Sequence, residues 1–121
     1  MSQLRDMHCT DLPTGSKPLD TEALHELLAE IGDWHPSDDF KAIEREFRFP
    51  DYYHTMAFVN AVAWIAHRED HHPDMSVHYN RCRVRFSTHS VGGLSRNDFI
   101  CAARVDALID SDADQARRDG A

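Results

Sequence analysis

The stretch HREDHHPDMSVHYN, residues 67–80, contains His67, His71, His72 and His78, four of the chain's nine histidines. Imidazole both gives and takes protons near neutral pH, and it is a common metal ligand. A dry core has little use for it.

In the metal reading, His67 and His71 stand four residues apart on one helix face, as in the HExxH zinc motif. Here the order is H-R-E-D-H. Glu69 stands third instead of second, points away from that face and cannot be the base of that motif. A third ligand would have to be His72 or His89. In the neutral reading, the histidines decorate a solvated helix end, where cations are mildly favoured. In the acid–base reading, His71 and His72 at a helix terminus converge with His89 at a strand end on one cleft, and exchange protons there. No G-x-S-x-G elbow and no glycine-rich phosphate loop accompanies them.

The elements that must position these groups are legible from periodicity. Leu24, Leu27, Leu28 and Ile31 recur at i, i+3, i+4, i+7, which predicts a helix capped by Asp20 or Thr21 and closed by Gly32. A short strand is expected at DWH before Pro36. IEREFRF alternates, with Ile43, Arg45, Phe47 and Phe49 on one side; Arg45 is the one polar residue there. DYYHTMAFVNAVAWIAHRED predicts the main helix, starting near Asp51, with Tyr52, Met56, Val59, Ala63 and Ala66 on one face. Pro73 ends it, because a residue before proline avoids helical geometry. His71 therefore falls at or just past the last turn, and His72 is pushed toward extended geometry. Cys82, Val84 and Phe86 alternate with Arg81, Arg83 and Arg85 in a clear strand, while Val77 and Tyr79 have the opposite parity. A turn near Asn80 thus divides two strands. SVGGL reads as a turn. Ser95 and Asp98 fit the S-x-x-D capping pattern of a third helix. Trp34 and Trp64 are expected in the core.

Three helices interleaved with paired strands predict an α+β fold: a four-stranded antiparallel sheet with three helices packed on one face. With 121 residues the chain forms one domain, expected over 19–110, with a flexible N-terminal arm over 1–18 and a flexible C-terminal tail over 111–121. The net charge of −8 argues against nucleic acid and anionic membranes as partners. The longest apolar run, AVAWIA, is too short to span a bilayer. Cys9, Cys82 and Cys101 are odd in number and far apart, so no disulfide framework is expected and a reducing cytoplasm is the natural setting. No secretory leader is expected either.

The segment DHHPDMSVHYNRCRVRFSTHSVGGLSRNDF resembles the signature of the pterin-4a-carbinolamine dehydratases. The matching pieces are His71-His72-Pro73, Tyr79, Ser87-Thr88-His89, and Gly93-Leu94-Ser95 through Asp98. The resemblance covers residues 20–109 in element order and is sharpest over 70–99. It implies a four-stranded antiparallel sheet with three helices on one side, and a homodimer or homotetramer. It implies a pterin substrate: dehydration of 4a-hydroxytetrahydropterin to quinonoid dihydropterin in tetrahydropterin recycling, with a functional link to an aromatic amino acid hydroxylase. No metal or other cofactor is implied. His71, His72 and His89 would line the site, with His71 and His89 moving protons and His72 orienting the pterin. Asp70, Pro73, Tyr79 and Asp98 would support or contact the substrate. The chain departs from the family at His67, where many members carry Glu, and at Met75, where many carry Trp. Animal members also serve as dimerisation partners of a transcription factor, so the alternative expectation is a non-catalytic binding module of the same fold.

Overall fold

The computed structural model describes residues 3–118, with side chains described through residue 109. Helix α1 spans Thr21–Leu28, strand β1 His35–Pro36, β2 Ile43–Arg48, helix α2 Tyr52–Glu69, β3 Asp74–His78, β4 Arg81–Phe86 and helix α3 Arg96–Arg118. The four strands form one antiparallel sheet in the order β1-β2-β4-β3. The expected α+β class and strand count hold.

Alternation sets the two faces of the sheet. Ile43, Phe47, Cys82, Val84 and Phe86 are buried, and they share one core with Leu24 and Leu27 of α1, Phe58 and Val62 of α2, and Phe99 and Val105 of α3. The helices therefore cover that face. Trp34 lies in the same core, its ring centroid 6.0 Å from Phe47 and 5.8 Å from Phe86. The opposite face carries opposed charges: Arg85 reaches Glu44 at 2.6 Å, and Arg48 reaches Glu46 at 2.9 Å. Arg45, the exception on the apolar side, is neutralised there. Its guanidinium lies over the Phe47 ring at 4.6 Å and meets Asp106 of α3 at 2.7 Å. The same carboxylate accepts from the Trp34 indole at 2.8 Å and from the Gly32 N–H at 2.9 Å. Gly32 thus serves this contact and not a helix cap; α1 ends four residues earlier, with Ala29 as its C-cap.

Helix α2 buries a face rotated by about one residue from the expected one. Thr55, Phe58, Val62, Ala66 and Glu69 are inward, whereas Tyr52 is exposed, as is Trp64 at 59%. Trp64 stacks on His67 at 5.8 Å outside the core. Thr55 is accommodated because its hydroxyl donates to the carbonyls of Asp51 and Tyr79.

The N-terminal segment is packed where an arm was expected. Leu4 is 3% exposed within the core. Arg104 donates to the Met7 carbonyl, and the Asn97 side chain bonds both backbone groups of Thr10. Helix α3 runs to Arg118, through most of the expected tail; residues 119–121 lie outside the described residues. Among the described residues no helix is long and apolar enough to cross a membrane.

Candidate active site

The end of α2 delivers the first histidine. Asp70 is the C-cap, in left-handed geometry at φ 50°, ψ 43°, and Asp is one of the few residues with a side chain that tolerates this conformation. The next N–H, of His71, still bonds the Ala66 carbonyl at 3.2 Å. His71 therefore sits just past the helix with its backbone anchored. Pro73 then commits the chain to β3. His72 between them is exposed, and Pro73 is half-buried.

The His71 ring enters the interior. It lies parallel to Phe86 of β4, with centroids 6.0 Å apart and planes 9° apart, and its side chain is only 12% exposed. Its Nε2 is 2.6 Å from Oδ1 of Asp98, a carboxylate with no exposed surface. The other carboxylate oxygen, Oδ2, accepts from the Thr88 hydroxyl at 2.8 Å and from the Ser95 N–H at 2.9 Å. A buried carboxylate needs such donors to offset its lost hydration. With Asp98 accepting at Nε2, the ring's orientation and tautomer are set, leaving Nδ1 for other chemistry.

Asp98 therefore both caps α3 and holds His71. Only half of the expected capping box forms. Asp98 reaches back to the Ser95 N–H, but the Ser95 hydroxyl pairs with Thr88 at 2.8 Å. Thr88 leads into a turn over His89–Val91, closed by Gly92 at φ 71° and by the Thr88–Gly93 bridge. His89 is exposed at the start of this turn, directly after the residue that donates to Asp98. The segments bearing His71-His72 and His89 are thus tied through a single carboxylate.

Other candidates lie apart from this arrangement. Tyr79 is in the hairpin turn at the far end of β3, where it stacks on Tyr52 at 6.3 Å and lines an open cleft of about 570 Å3 with Met56, Val77 and His78. His78 bonds Ser76 at 3.1 Å on the charged face of the sheet. A second cavity, of about 550 Å3, lies between the 3-10 turn Leu4–Asp6, Gly32 and Asp106. Neither cavity is lined by His71, His72 or His89. Among the described residues no three His, Cys, Asp or Glu side chains are grouped as a metal would need. Asp70 is exposed and acts visibly through its backbone.

The sequence placed Phe86 on a strand, Thr88 in the matched signature and Ser95 in a helix cap without pointing to their contacts with His71 and Asp98, and it did not point to the burial of Glu69. Glu69 is buried and accepts from the Cys9 N–H at 2.7 Å and from His8 at 2.9 Å, with Arg104 at 3.8 Å. Burial pushes its carboxyl upward, but the Cys9 N–H, His8 and Arg104 outweigh this and hold it below its ordinary value. The misplaced Glu of H-R-E-D-H was the available signal; its partners, 60 and 61 residues before it and 35 after it, were not readable.

Residues 17–108 match the family model described as pterin 4 alpha carbinolamine dehydratase. A protein of Stenotrophomonas maltophilia, provisionally named pterin-4-alpha-carbinolamine dehydratase, is 57% identical over 107 residues, covering 88% of this chain and 92% of that one. One of Xanthomonas campestris pv. campestris with the same provisional name is 56% identical, over 88% and 91%. Among solved structures, a Brucella melitensis protein described as transcriptional coactivator/pterin dehydratase is 32% identical, with TM-score 0.73, covering 76% of this chain and 98% of that one. A pterin dehydratase-like RuBisCO assembly factor of the alpha-carboxysome shares the fold at 23% identity and TM-score 0.56, covering 64% and 89%.

Proposed function

The chain belongs to the pterin-4-alpha-carbinolamine dehydratase family, and on that footing we propose that it converts 4a-hydroxytetrahydropterin to quinonoid dihydropterin and water by histidine acid–base catalysis. The observation that supports this most directly is the buried 2.6 Å contact between His71 and Asp98. A fixed, oriented imidazole beside a second histidine-bearing turn is what the reaction asks for.

The chemistry is a proton-assisted elimination. The C4a–O bond breaks as the hydroxyl takes a proton from an acid and leaves as water. The N5 proton passes to a base, and the N5 electrons form the C4a=N5 bond. Electrons and protons balance without a metal or redox cofactor. In this proposal His71 and His89 transfer the protons, His72 orients the pterin, and Asp98 holds His71 without touching substrate. Asp70 and Pro73 shape the turn that presents His71 and His72. The proposed physiological setting is tetrahydropterin recycling in the cytoplasm, beside an aromatic amino acid hydroxylase.

The decisive experiment follows the decay of freshly generated 4a-carbinolamine with and without the protein. Faster decay, retained after chelator treatment, supports the proposal; decay at the uncatalysed rate defeats it. The same proposal includes a homodimer or homotetramer. Supporting it, β3 is an edge strand, and Val77, Tyr52 and Tyr79 beside it are exposed. Light scattering should give at least twice the chain mass of 13.9 kDa.

A second reading, a binding module, is favoured by the same exposed aromatic strip and by the coactivator description of the Brucella relative. It requires the strip and not the histidines. A His71→Gln variant with intact assembly and no turnover would separate the two uses of the fold.

A further inference from the structure

Two of the three free cysteines meet across most of the described sequence. Cys9 Sγ lies 3.4 Å from Cys101 Sγ, at a separation of 92 residues. The approach is held on both sides. The Cys9 N–H is bound by Glu69, its Sγ also lies 3.5 Å from the Asn97 carbonyl, and the next residue, Thr10, is clamped by the Asn97 side chain. Cys101 is fully buried on α3, three residues after Asp98, while Cys9 is half-buried on an irregular segment.

We propose that Cys9 and Cys101 form a reversible redox pair, joined by a hydroperoxide into an intrachain disulfide that fastens residues 7–10 onto α3 behind the His71–Asp98 contact. A disulfide needs its sulfurs at about 2.05 Å, so the pair must close by roughly 1.3 Å. Cys9 can supply that movement through its side chain, because hydrogen bonds and not a helix or strand hold its backbone.

The division of labour follows from the surroundings. The hydrogen bond that the Cys101 thiol shares with Cys9, and its burial, push that thiol upward, so it stays protonated. Cys9, the more accessible sulfur, attacks the peroxide. Its S–O bond forms, the O–O bond breaks, and one water or alcohol leaves; Cys9 is now a sulfenic acid. The Cys101 sulfur then attacks the Cys9 sulfur, forming S–S, breaking S–O, and releasing its proton with the hydroxide as water. Two thiols are oxidised by two electrons and one peroxide is reduced. A dithiol reverses the process by exchange. Cys82 stays out of this chemistry: it is buried in the core on β4, and burial pushes its thiol up to about 11.

The test uses the full chain and hydrogen peroxide, followed by denaturation and alkylation. The expected result is a chain lighter by two hydrogen atoms, one alkylatable thiol instead of three, and a Cys9–Cys101 linked peptide. The melting midpoint should rise by about 5 °C or more, since the bridge closes a long loop. Dithiothreitol should reverse all of these. Cys9→Ser and Cys101→Ser should each block the mass loss, and folding of either variant is checked by its melting curve. Three surviving thiols under peroxide that oxidises a control cysteine peptide, a bridge through Cys82 or between chains, or oxygen added to Cys9 without a bridge would each overturn the pair.

Discussion

Nε2 of His71 and Oδ1 of Asp98 lie 2.6 Å apart although 27 residues separate them in sequence. One residue follows the end of a helix and the other opens the next. The contact makes the α2–β3 turn and the α3 N-terminus one rigid unit, and Thr88 adds the His89 turn to it.

Replacing His71 or His89 by Gln removes a titrating group and keeps most of its bulk. Carbinolamine turnover should fall about 10²-fold or more for each, in the range of one acid–base group. His67, stacked on Trp64, and His78, bonded to Ser76, stand outside the unit. Their Gln variants should lose less than about tenfold. Loss of turnover in His67→Gln with none in His89→Gln would reverse the assignment.

Asp98→Ala leaves the Thr88 hydroxyl, the Ser95 N–H and the His71 ring without their buried acceptor. Urea unfolding should show a loss of about 3 kcal/mol. Asp98→Asn restores an acceptor oxygen and should recover part of that stability, yet leave turnover low because its amide group contacts either His71 or Thr88 as a donor. A variant as active as the parent would remove Asp98 from the proposed machinery.

Asp106→Ala strips Arg45, Trp34 and Gly32 of a shared partner. The Arg45 guanidinium then stays behind the sheet without its counter-charge. Destabilisation of about 2–4 kcal/mol is expected in denaturant titrations, while KM and kcat of the folded variant stay near the parent's. A change under about 0.5 kcal/mol, the level of an ordinary surface substitution, would show the cluster to be ornamental.

Glu69 supplies a pH dependence. Its folded-state carboxyl titrates below its ordinary value of 4.5, so the unfolded chain takes up the proton more readily. Its stabilisation is complete above pH 4.5 and drains away as the pH falls through the folded-state value. Glu69→Gln should be less stable than the parent at pH 7, and the gap should narrow below pH 4.5. Asp39 and Asp51, also held low, contribute equally to both proteins and cancel in the comparison. A gap constant from pH 7 to 3.5 would contradict the linkage.

Which features could be read in advance follows from how local their causes are. RCRVRF declared its faces because alternation has one interpretation on a one-sided sheet, and Asp51 and Asp20 cap their helices through contacts three residues away. Helix α2 misled because Ala, Tyr, Trp and Met surround it; its true stripe runs through Thr55 and Glu69, which are tolerable only with the partners that fold back onto them. The same holds for the N-terminal segment, which has no periodicity and is secured by single bonds to Glu69, Asn97 and Arg104. His71 was identifiable from its neighbours in sequence. The carboxylate that orients it was visible as a helix cap and, through the resemblance, as a site residue; its contact with the His71 ring emerged only when α3 met the end of α2.

The clamp between Thr10 and Asn97 spans 87 residues, and it carries a consequence for synthesis. A nascent chain that has not yet released residue 98 has no carboxylate for the His71 ring, and without residues 97 and 104 only Glu69 is there to receive its beginning. Local helices and the β3–β4 hairpin can form as they emerge, but the contacts that complete the histidine unit are long-range and close last. C-terminally shortened chains ending before residue 97 should therefore hold secondary structure without the His71–Asp98 contact.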